Sequence, residues 1–363
     1  MRVLIAPQEF KGSLAARAVA EAIARGISAA YPDAELDLLP MSDGGPGFLE
    51  ALHVAMPASE RVSVPARDPL RRPVDASILH SGDTVFIEAA GANGLWRLAP
   101  AELDPLYAGT EGVGDLLLAA AALEPRRIVI GVGGSATNDG GAGMARTLGA
   151  RFYGMDGGEL PPGAAPLAEA VRIDWDPPAA FQGIEITVAS DVQNPLVGDE
   201  GAATVYGPQK GATPPQVDQL DAALFRYATA IRRSLGVDVA TMPGAGAAGG
   251  LGAGLVAFLG AQIVSGFDVV AEATGLRERI DKADLVITGE GSYDAQSAMG
   301  KVTGRIAGLA SDQGRDVIIL AGRATTTHQN VVELVSYAAD EEESIASAAR
   351  LLERAAADAI ARR

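Results

Sequence analysis

Short runs rich in valine and isoleucine alternate along the chain with longer alanine-rich stretches whose apolar residues recur at helical spacing. The runs "RVLIA", "ELDLLP", "TVFIEAA", "RRIVIGVGG", "IEITVASD", "ADLVITGEG" and "RDVIILAG" predict strands, and most end in glycine or a small polar residue. Helices are predicted over "SLAARAVAEAIARGISAAY", where Ser13 is placed to cap, over "EGVGDLLLAAAAL", and over "PPQVDQLDAALFRYATAIRRSL", which opens on proline and is followed by Gly236. The C-terminal "EESIASAARLLERAAADAIARR" reads as an amphipathic helix with acids first and arginines last. This alternation predicts a parallel α/β architecture, in which ligands sit at the carboxyl ends of the strands.

Length and charge narrow the picture. With 363 residues, 48% of them hydrophobic, the chain has material for two domains with substantial cores. No fixed-period repeat or low-complexity tail interrupts it, and the proline and glycine of residues 154–166 read as a surface excursion. A formal charge of −17 and no basic block argue against a nucleic-acid partner. An anionic ligand would need local help from lysine, arginine, helix N-termini or a metal ion.

The chain has no cysteine, and His53, His80 and His328 show no metal-binding spacing, so a metal would be a hard cation held by oxygen, such as Mg²⁺. The start "MRVLIAP" reads as a strand and not as a signal peptide. The apolar stretch "AGAAGGLGAGLVAFLGAQIV" carries six glycines and reads as a buried helix, not a membrane span. A cytoplasmic protein without a membrane partner is expected.

Candidate chemistry starts with the lysines, of which there are four against 25 arginines. Lys11, Lys210 and Lys301 lie in "FKGS", "QKGA" and "MGKV", where a compact charge suits a phosphate oxygen in a crowded loop. Function is expected of Lys11 and Lys301, whereas Lys282 is read as a surface residue. "GVGGSATNDGGAG" follows a strong strand and offers flexible N–H groups, then Asn138 and Asp139, then a helix near Gly141: a phosphate cradle, or a turn in which glycine permits close packing. "PGAGAAGGLGAG" contains GxGxxG at Gly244, Gly246 and Gly249 but no strand precedes it, so it reads as an anion-accepting loop and not as a dinucleotide fingerprint. No GxxxxGK[ST] occurs. Asp43, Asp191, Glu290 and Asp294 each follow an apolar run beside small residues, and are candidates for Mg²⁺ ligation or for accepting a hydroxyl proton.

"APQEFKGSL", "SDGGPG", "GVGGSATNDGGAGM", "SDVQNPLVGDEGAATVYGPQKGAT", "MPGAGAAGGLGAGLVAFLGA" and "DLVITGEGSYDAQSAMGK" follow one another in order over nearly the whole chain. In these motifs the chain resembles the glycerate kinase family that includes bacterial glycerate 2-kinases. The resemblance implies ATP- and Mg²⁺-dependent phosphorylation of D-glycerate, a small hydroxy acid, to 2-phosphoglycerate. It also implies two α/β domains with the active-site cleft between them: a flavodoxin-like domain formed by both chain ends, residues 1–65 plus 255–363, and an inserted middle domain, residues 66–254.

The resemblance places these motifs in the site without assigning each role; Asp191 is expected to orient and deprotonate the attacking hydroxyl, with Lys11 and Lys301 neutralising charge. Ser13, Asp43, Gly44, Asn138, Asp139, Asn194 and Gln296 are expected at the substrate. Gly133, Gly134, Ser135, Lys210, Gly244, Gly246, Gly249 and Gly250 are expected at the nucleotide, and Glu290 and Asp294 at Mg²⁺. A homodimer is left open. The departures from the family pattern are Gln8 and Glu9 where "APDSFKGS" is usual, Pro46 and Phe48 where "DGGEGT" is usual, and Ser292 and Met299 where "GEGRxDxQ" and "HGK" are usual. With Phe48, Met299 and Tyr293 a more apolar pocket, carrying one added ring hydroxyl, is expected, and two alternatives stay open: a kinase of the same fold for a different small hydroxylated acceptor, and a catalytically impaired binding or regulatory homologue.

Overall fold

The computed structural model describes residues 1–295, 297, 300–326 and 330–362. The chain forms two compact units, one of Met1–Ser42, Glu50–Pro57 and Phe267–Arg363 and one of Asp43–Leu49 and Ala58–Gly266. In chain order the strands are β1 (Arg2–Ile5), β2 (Glu35–Leu38), β3 (Glu60–Arg67), β4 (Pro73–Ser81), β5 (Thr84–Glu88), β6 (Arg127–Gly131), β7 (Arg151–Tyr153), β8 (Arg172–Asp174), β9 (Glu185–Ala189), β10 (Gln262–Val264), β11 (Leu285–Tyr293), β12 (Asp316–Ala324) and β13 (Val331–Glu333).

The first unit is built on a wholly parallel sheet of order β2-β1-β11-β12-β13. Counted within the unit this is 2-1-3-4-5, the doubly wound order of flavodoxin-like folds, and its direction of growth reverses between β1 and β11. Val3, Ile5, Leu285 and Ile287 meet Val19, Ile23 and Ile27 of the helix Ala16–Ala30 and Leu351 and Leu352 of the helix Ala348–Ala361. The two helices touch at Gly26, where a Cβ would lie 2.0 Å from Glu353 O, so only glycine fits.

Two expectations change here. The first helix begins at Ala16 and has no side-chain cap, because residues 10–14 close a tight turn in which Leu14 N and Ser13 N donate to Phe10 O. Ser13 Oγ instead donates to Ile345 O at 2.7 Å. The C-terminal helix is two pieces, Glu341–Ala346 and Ala348–Ala361, the first capped by Asp340 Oδ1, which accepts from Glu343 N.

The second unit carries a six-stranded sheet of order β10-β9-β6-β5-β4-β3. Its β10, β9, β6 and β5 are parallel, and β4 and β3 extend it as antiparallel strands. β3 pairs on one side alone, with β4, which is where its Pro65 is tolerated. The apolar stretch read as one helix is broken near its start: within Ala247–Leu259 the chain passes through Ala248, Gly249 and Gly250 at φ +55°, +68° and +87°, which is not helical, and only then runs as a helix to Leu259, stopped by Gly260 at φ +64° and followed by β10. β7 and β8 form a small antiparallel pair flanking the excursion at 154–166. The helix Pro214–Leu235 has the predicted ends: Thr213 and Gln216 make a capping box, and Gly236 closes it at φ +75°.

A boundary at 65/66 would cut β3 and one at 254/255 would cut the helix Ala247–Leu259. Both elements instead belong wholly to the second unit, since β3 pairs with β4 and the helix packs in that unit's core. No helix among the described residues is long and apolar enough to cross a membrane.

Candidate active site

In the first unit, candidate residues gather at the carboxyl ends of β1 and β11, where the strand order reverses. Pairing continues past Ile5, with Ala6 N donating to Ile287 O and Gln8 N to Gly289 O, and the chain then enters the turn that carries Lys11 and Gly12 at its exposed tip. Gly291 allows β11 to approach this turn: a Cβ there would stand 3.3 Å from Lys11 N. Glu290, between Gly289 and Gly291, is 8% exposed, and its Oε1 is buried without a hydrogen-bond partner. Burial raises the Glu290 pKa, while the hydroxyls of Thr303 and Ser297 and the Lys301 ammonium pull it back.

Asp294 follows β11 directly. Its Oδ1 accepts from Ser297 N at 2.8 Å and Ser297 Oγ at 3.1 Å, and the Ser297 N–H is the chief cause of a lowered Asp294 pKa. Lys301 Nζ lies 3.5 Å from Asp294 Oδ2. Lys301 is also the residue that precedes the helix Val302–Asp312, so its charge adds to the positive end of that helix dipole. Gln296 and Met299 fall outside the described residues. Tyr293 does not present its ring to a pocket, being 1% exposed in the core.

Glu290 and Asp294 are the oxygen donors of this end of the unit that could meet a Mg²⁺ ion. This cation is commonly held by one or two carboxylates and completed by water and phosphate oxygens, and the unpartnered Glu290 Oε1 is an acceptor that such an ion would satisfy. No group of three or more His, Asp or Glu side chains is arranged for a metal among the described residues.

In the second unit, four loops meet at the carboxyl ends of β5, β6, β9 and β10. Asp43 is exposed, with Oδ1 accepting from Gly45 N at 3.0 Å. Gly44, at φ +92°, is wedged so that a Cβ would lie 2.3 Å from Ala189 O, and its own carbonyl accepts from Gly133 N. Gly45 and Pro46 fill the space beside Gly133 and Gly134. Asp191 is exposed just past the end of β9, where Ser190 N donates to Val264 O and Ser190 Oγ accepts from Val192 N.

Several expected ligand contacts have other work in this structure. Asp139 is 1% exposed, and its carboxylate accepts from Thr110 N, Thr110 Oγ1, Gly141 N and Gly143 N, so it fastens the loop to the helix Ala142–Thr147. Asn194 spans its own loop, donating to Glu200 O and accepting from Tyr206 OH. Gly246 abuts Pro195 O, Gly249 abuts Thr137 O at 2.0 Å from its missing Cβ, and Gly250 abuts Gly140, which makes their glycine requirement one of loop-on-loop packing. Gly244, at φ +80°, abuts Val192 O and Ile263. Asn138 is 0% exposed and neither Oδ1 nor Nδ2 has a partner. Lys210 is buried beneath the same loop and donates to Ser135 Oγ and Thr137 O.

Phe48 does not line a pocket either. It is 0% exposed, packed edge-on against Phe86 with ring centroids 6.3 Å apart. Glu88, which the motif reading passed over, receives the N–H groups of Gly47, Phe48 and Leu49 at the start of the helix Phe48–Ala55, and burial raises its pKa against those bonds. Its signal was present: it too ends a strand-like run.

The family model described as the glycerate kinase family matches residues 3–363. A "Glycerate 2-kinase" of Escherichia coli (strain K12) is 45% identical over 345 residues, 92% of this chain and 90% of that protein. A "Glycerate kinase" of Bacillus subtilis (strain 168) is 38% identical over 369 residues, 99% and 96% of the two chains. A crystal structure from Salmonella typhimurium LT2, of a protein assigned as glycerate kinase 2, superposes with a TM-score of 0.83 at 41% identity, covering 100% of this chain and 97% of that one.

Proposed function

Because the chain belongs to the glycerate kinase family, phosphotransferases with an alcohol group as acceptor, we propose that it uses ATP and Mg²⁺ to convert D-glycerate to 2-phosphoglycerate in the cytoplasm. The observation that carries this reading is the set Lys11, Glu290, Asp294 and Lys301 at the carboxyl ends of β1 and β11. This is the place in a 2-1-3-4-5 sheet where ligands bind, and it pairs cations for phosphate with oxygens for a metal.

Phosphoryl transfer asks a protein chiefly for positioning and charge neutralisation. In this reading Asp191 accepts the proton of the glycerate C2 hydroxyl. The hydroxyl oxygen forms a bond to the γ-phosphorus while the bond from that phosphorus to the β,γ-bridging oxygen breaks, and ADP leaves. Lys11 and Lys301 neutralise oxygens of the phosphoryl group and the substrate carboxylate, and the helix N-terminus behind Lys301 adds to their field. Glu290 and Asp294 would hold Mg²⁺, which when bound shields phosphate charge. Asp43 would orient the acceptor; its neighbour Gly44 packs against Ala189, the last residue of β9.

Two of the departures from the family pattern, Pro46 and Phe48, leave the pocket no larger. Phe48 is core, and Pro46 fills space against Gly134, so neither opens a new apolar pocket. The test is Mg²⁺-dependent ATP consumption with D-glycerate against L-glycerate and other hydroxy acids, with turnover of D-glycerate expected.

A further inference from the structure

Lys210 is a buried cation whose bonded partners carry no charge. It ends the single turn Pro208–Lys210, is 2% exposed, and its Nζ donates to Thr137 O at 2.6 Å and to Ser135 Oγ at 3.2 Å. Both acceptors belong to the glycine-rich loop after β6. Asn93 grips the same loop: Ala136 N donates to Asn93 O, and Asn93 Nδ2 donates to Thr137 Oγ1 at 3.2 Å. Asn93 and Lys210 thus hold the middle of the loop, between the Gly44 carbonyl that receives Gly133 N and the bonds of Asp139 at its far end.

Keeping an ammonium charged in such surroundings is unfavourable unless an anion lies near. Burial lowers the Lys210 pKa to about 7, and Asp139 opposes this through its field. Asp139 in turn feels Glu111, Tyr227 and Arg146, and its oxygens are bonded to Thr110, Gly141 and Gly143. On the same loop Asn138, 0% exposed, leaves both of its amide atoms without a partner. A partly compensated cation and an unpartnered amide thus share one loop at the carboxyl end of a central parallel strand.

We propose that Lys210 is a positioning residue for nucleotide binding: through Ser135 and Thr137 it holds the loop in the shape that receives the phosphate groups, and a bound phosphate supplies the negative charge that the buried ammonium lacks. This rests on the reading of the chain as an ATP-dependent kinase. Lys210 acts through the loop and does not touch the ligand. One consequence is that nucleotide binding near neutral pH takes up a proton at Lys210.

The experiment is calorimetric binding of the ATP analogue AMP-PNP with Mg²⁺ to the full chain, in two buffers of different ionisation enthalpy, together with the KM for D-glycerate. Wild-type protein is expected to take up a fraction of a proton on binding. Lys210→Met is expected to bind about tenfold more weakly or worse, the loss of a charge-assisted hydrogen bond, without proton uptake and with the D-glycerate KM little changed. Lys210→Arg is expected to restore most of the affinity and none of the proton uptake. Should Lys210→Met fail to fold, Ser135→Ala removes one of the two bonds and is expected to weaken AMP-PNP in the same direction.

Unchanged AMP-PNP affinity in these variants, or a defect confined to D-glycerate, would overturn the role. Because binding is read without turnover, wild-type protein that binds AMP-PNP and ignores D-glycerate would refute the proposed acceptor and not this role. Wild-type protein that fails to bind AMP-PNP would refute both.

Discussion

Lys301 Nζ stands 3.5 Å from Asp294 Oδ2 at the start of the helix Val302–Asp312. Both side chains are partly exposed, at 44% and 38%, so the pair adds little to stability and is free to exchange its partner for a ligand. Lys301→Met is expected to lower kcat/KM by about 10² to 10³, the usual effect of removing one group that stabilises transition-state charge. The melting temperature should stay within a degree or two of wild type. Kinetics and a thermal melt on one preparation decide the matter, and a variant that melts early and keeps its activity would contradict it.

Glu290 gives a pH prediction whose sign follows from burial. Its folded pKa is raised by desolvation, so the folded state holds a proton that the unfolded state has released. Its contribution to stability therefore falls as pH rises from the ordinary glutamate value through the raised one. If Glu290 holds Mg²⁺ as proposed, the ion takes the ionised form, so apparent Mg²⁺ affinity should rise over the same window. Mg²⁺ titration followed by melting temperature at several pH values should show this rise, and Glu290→Gln should flatten it and melt no lower than wild type in the absence of metal.

Asp191 is exposed at the end of β9, so its replacement should leave the fold alone. Asp191→Asn is expected to lower kcat by about 10² to 10⁴, the range for a general base, with AMP-PNP binding unchanged. Retained turnover would remove Asp191 as the proton acceptor.

Two neighbouring glycines separate backbone strain from steric filling. Gly44 and Gly47 both have positive φ, +92° and +85°, but a Cβ on Gly44 would meet Ala189 O at 2.3 Å and one on Gly47 meets nothing within 4 Å. Gly47→Ala should cost about 1 kcal/mol from the left-handed backbone alone. Gly44→Ala should cost clearly more and lower activity as well, because it displaces the Asp43 loop. Denaturant melts of the two variants make the comparison, and equal losses would argue that the loop is loosely held.

The strand and helix pattern announced the parallel cores because strands such as β1, with Val3, Leu4 and Ile5 all buried, must be apolar throughout. The same grammar marks strand ends as places for chemistry, which points to Glu290 and Asp294, whereas Lys11 and Lys301 stand out because lysine is scarce and glycine adjoins them. β3 escaped notice because Arg61, Ser63 and Pro65 interrupt its apolar run, as an edge strand allows. The glycine loops were ambiguous for a physical reason. Gly249 must lack a side chain because Thr137 O occupies that space, and close approach of a phosphate would demand the same residue. Nor could spacing reveal that Asp139 is bound by Thr110, 29 positions earlier, since that contact exists only once the unit has folded.

The most direct test is to supply ATP, Mg²⁺ and D-glycerate to the purified chain and identify the product by ³¹P and ¹³C NMR. Accumulation of 2-phosphoglycerate, abolished by Asp191→Asn, is the predicted result. Phosphate on the terminal hydroxyl, or consumption of ATP with another hydroxy acid while D-glycerate stays untouched, would contradict it.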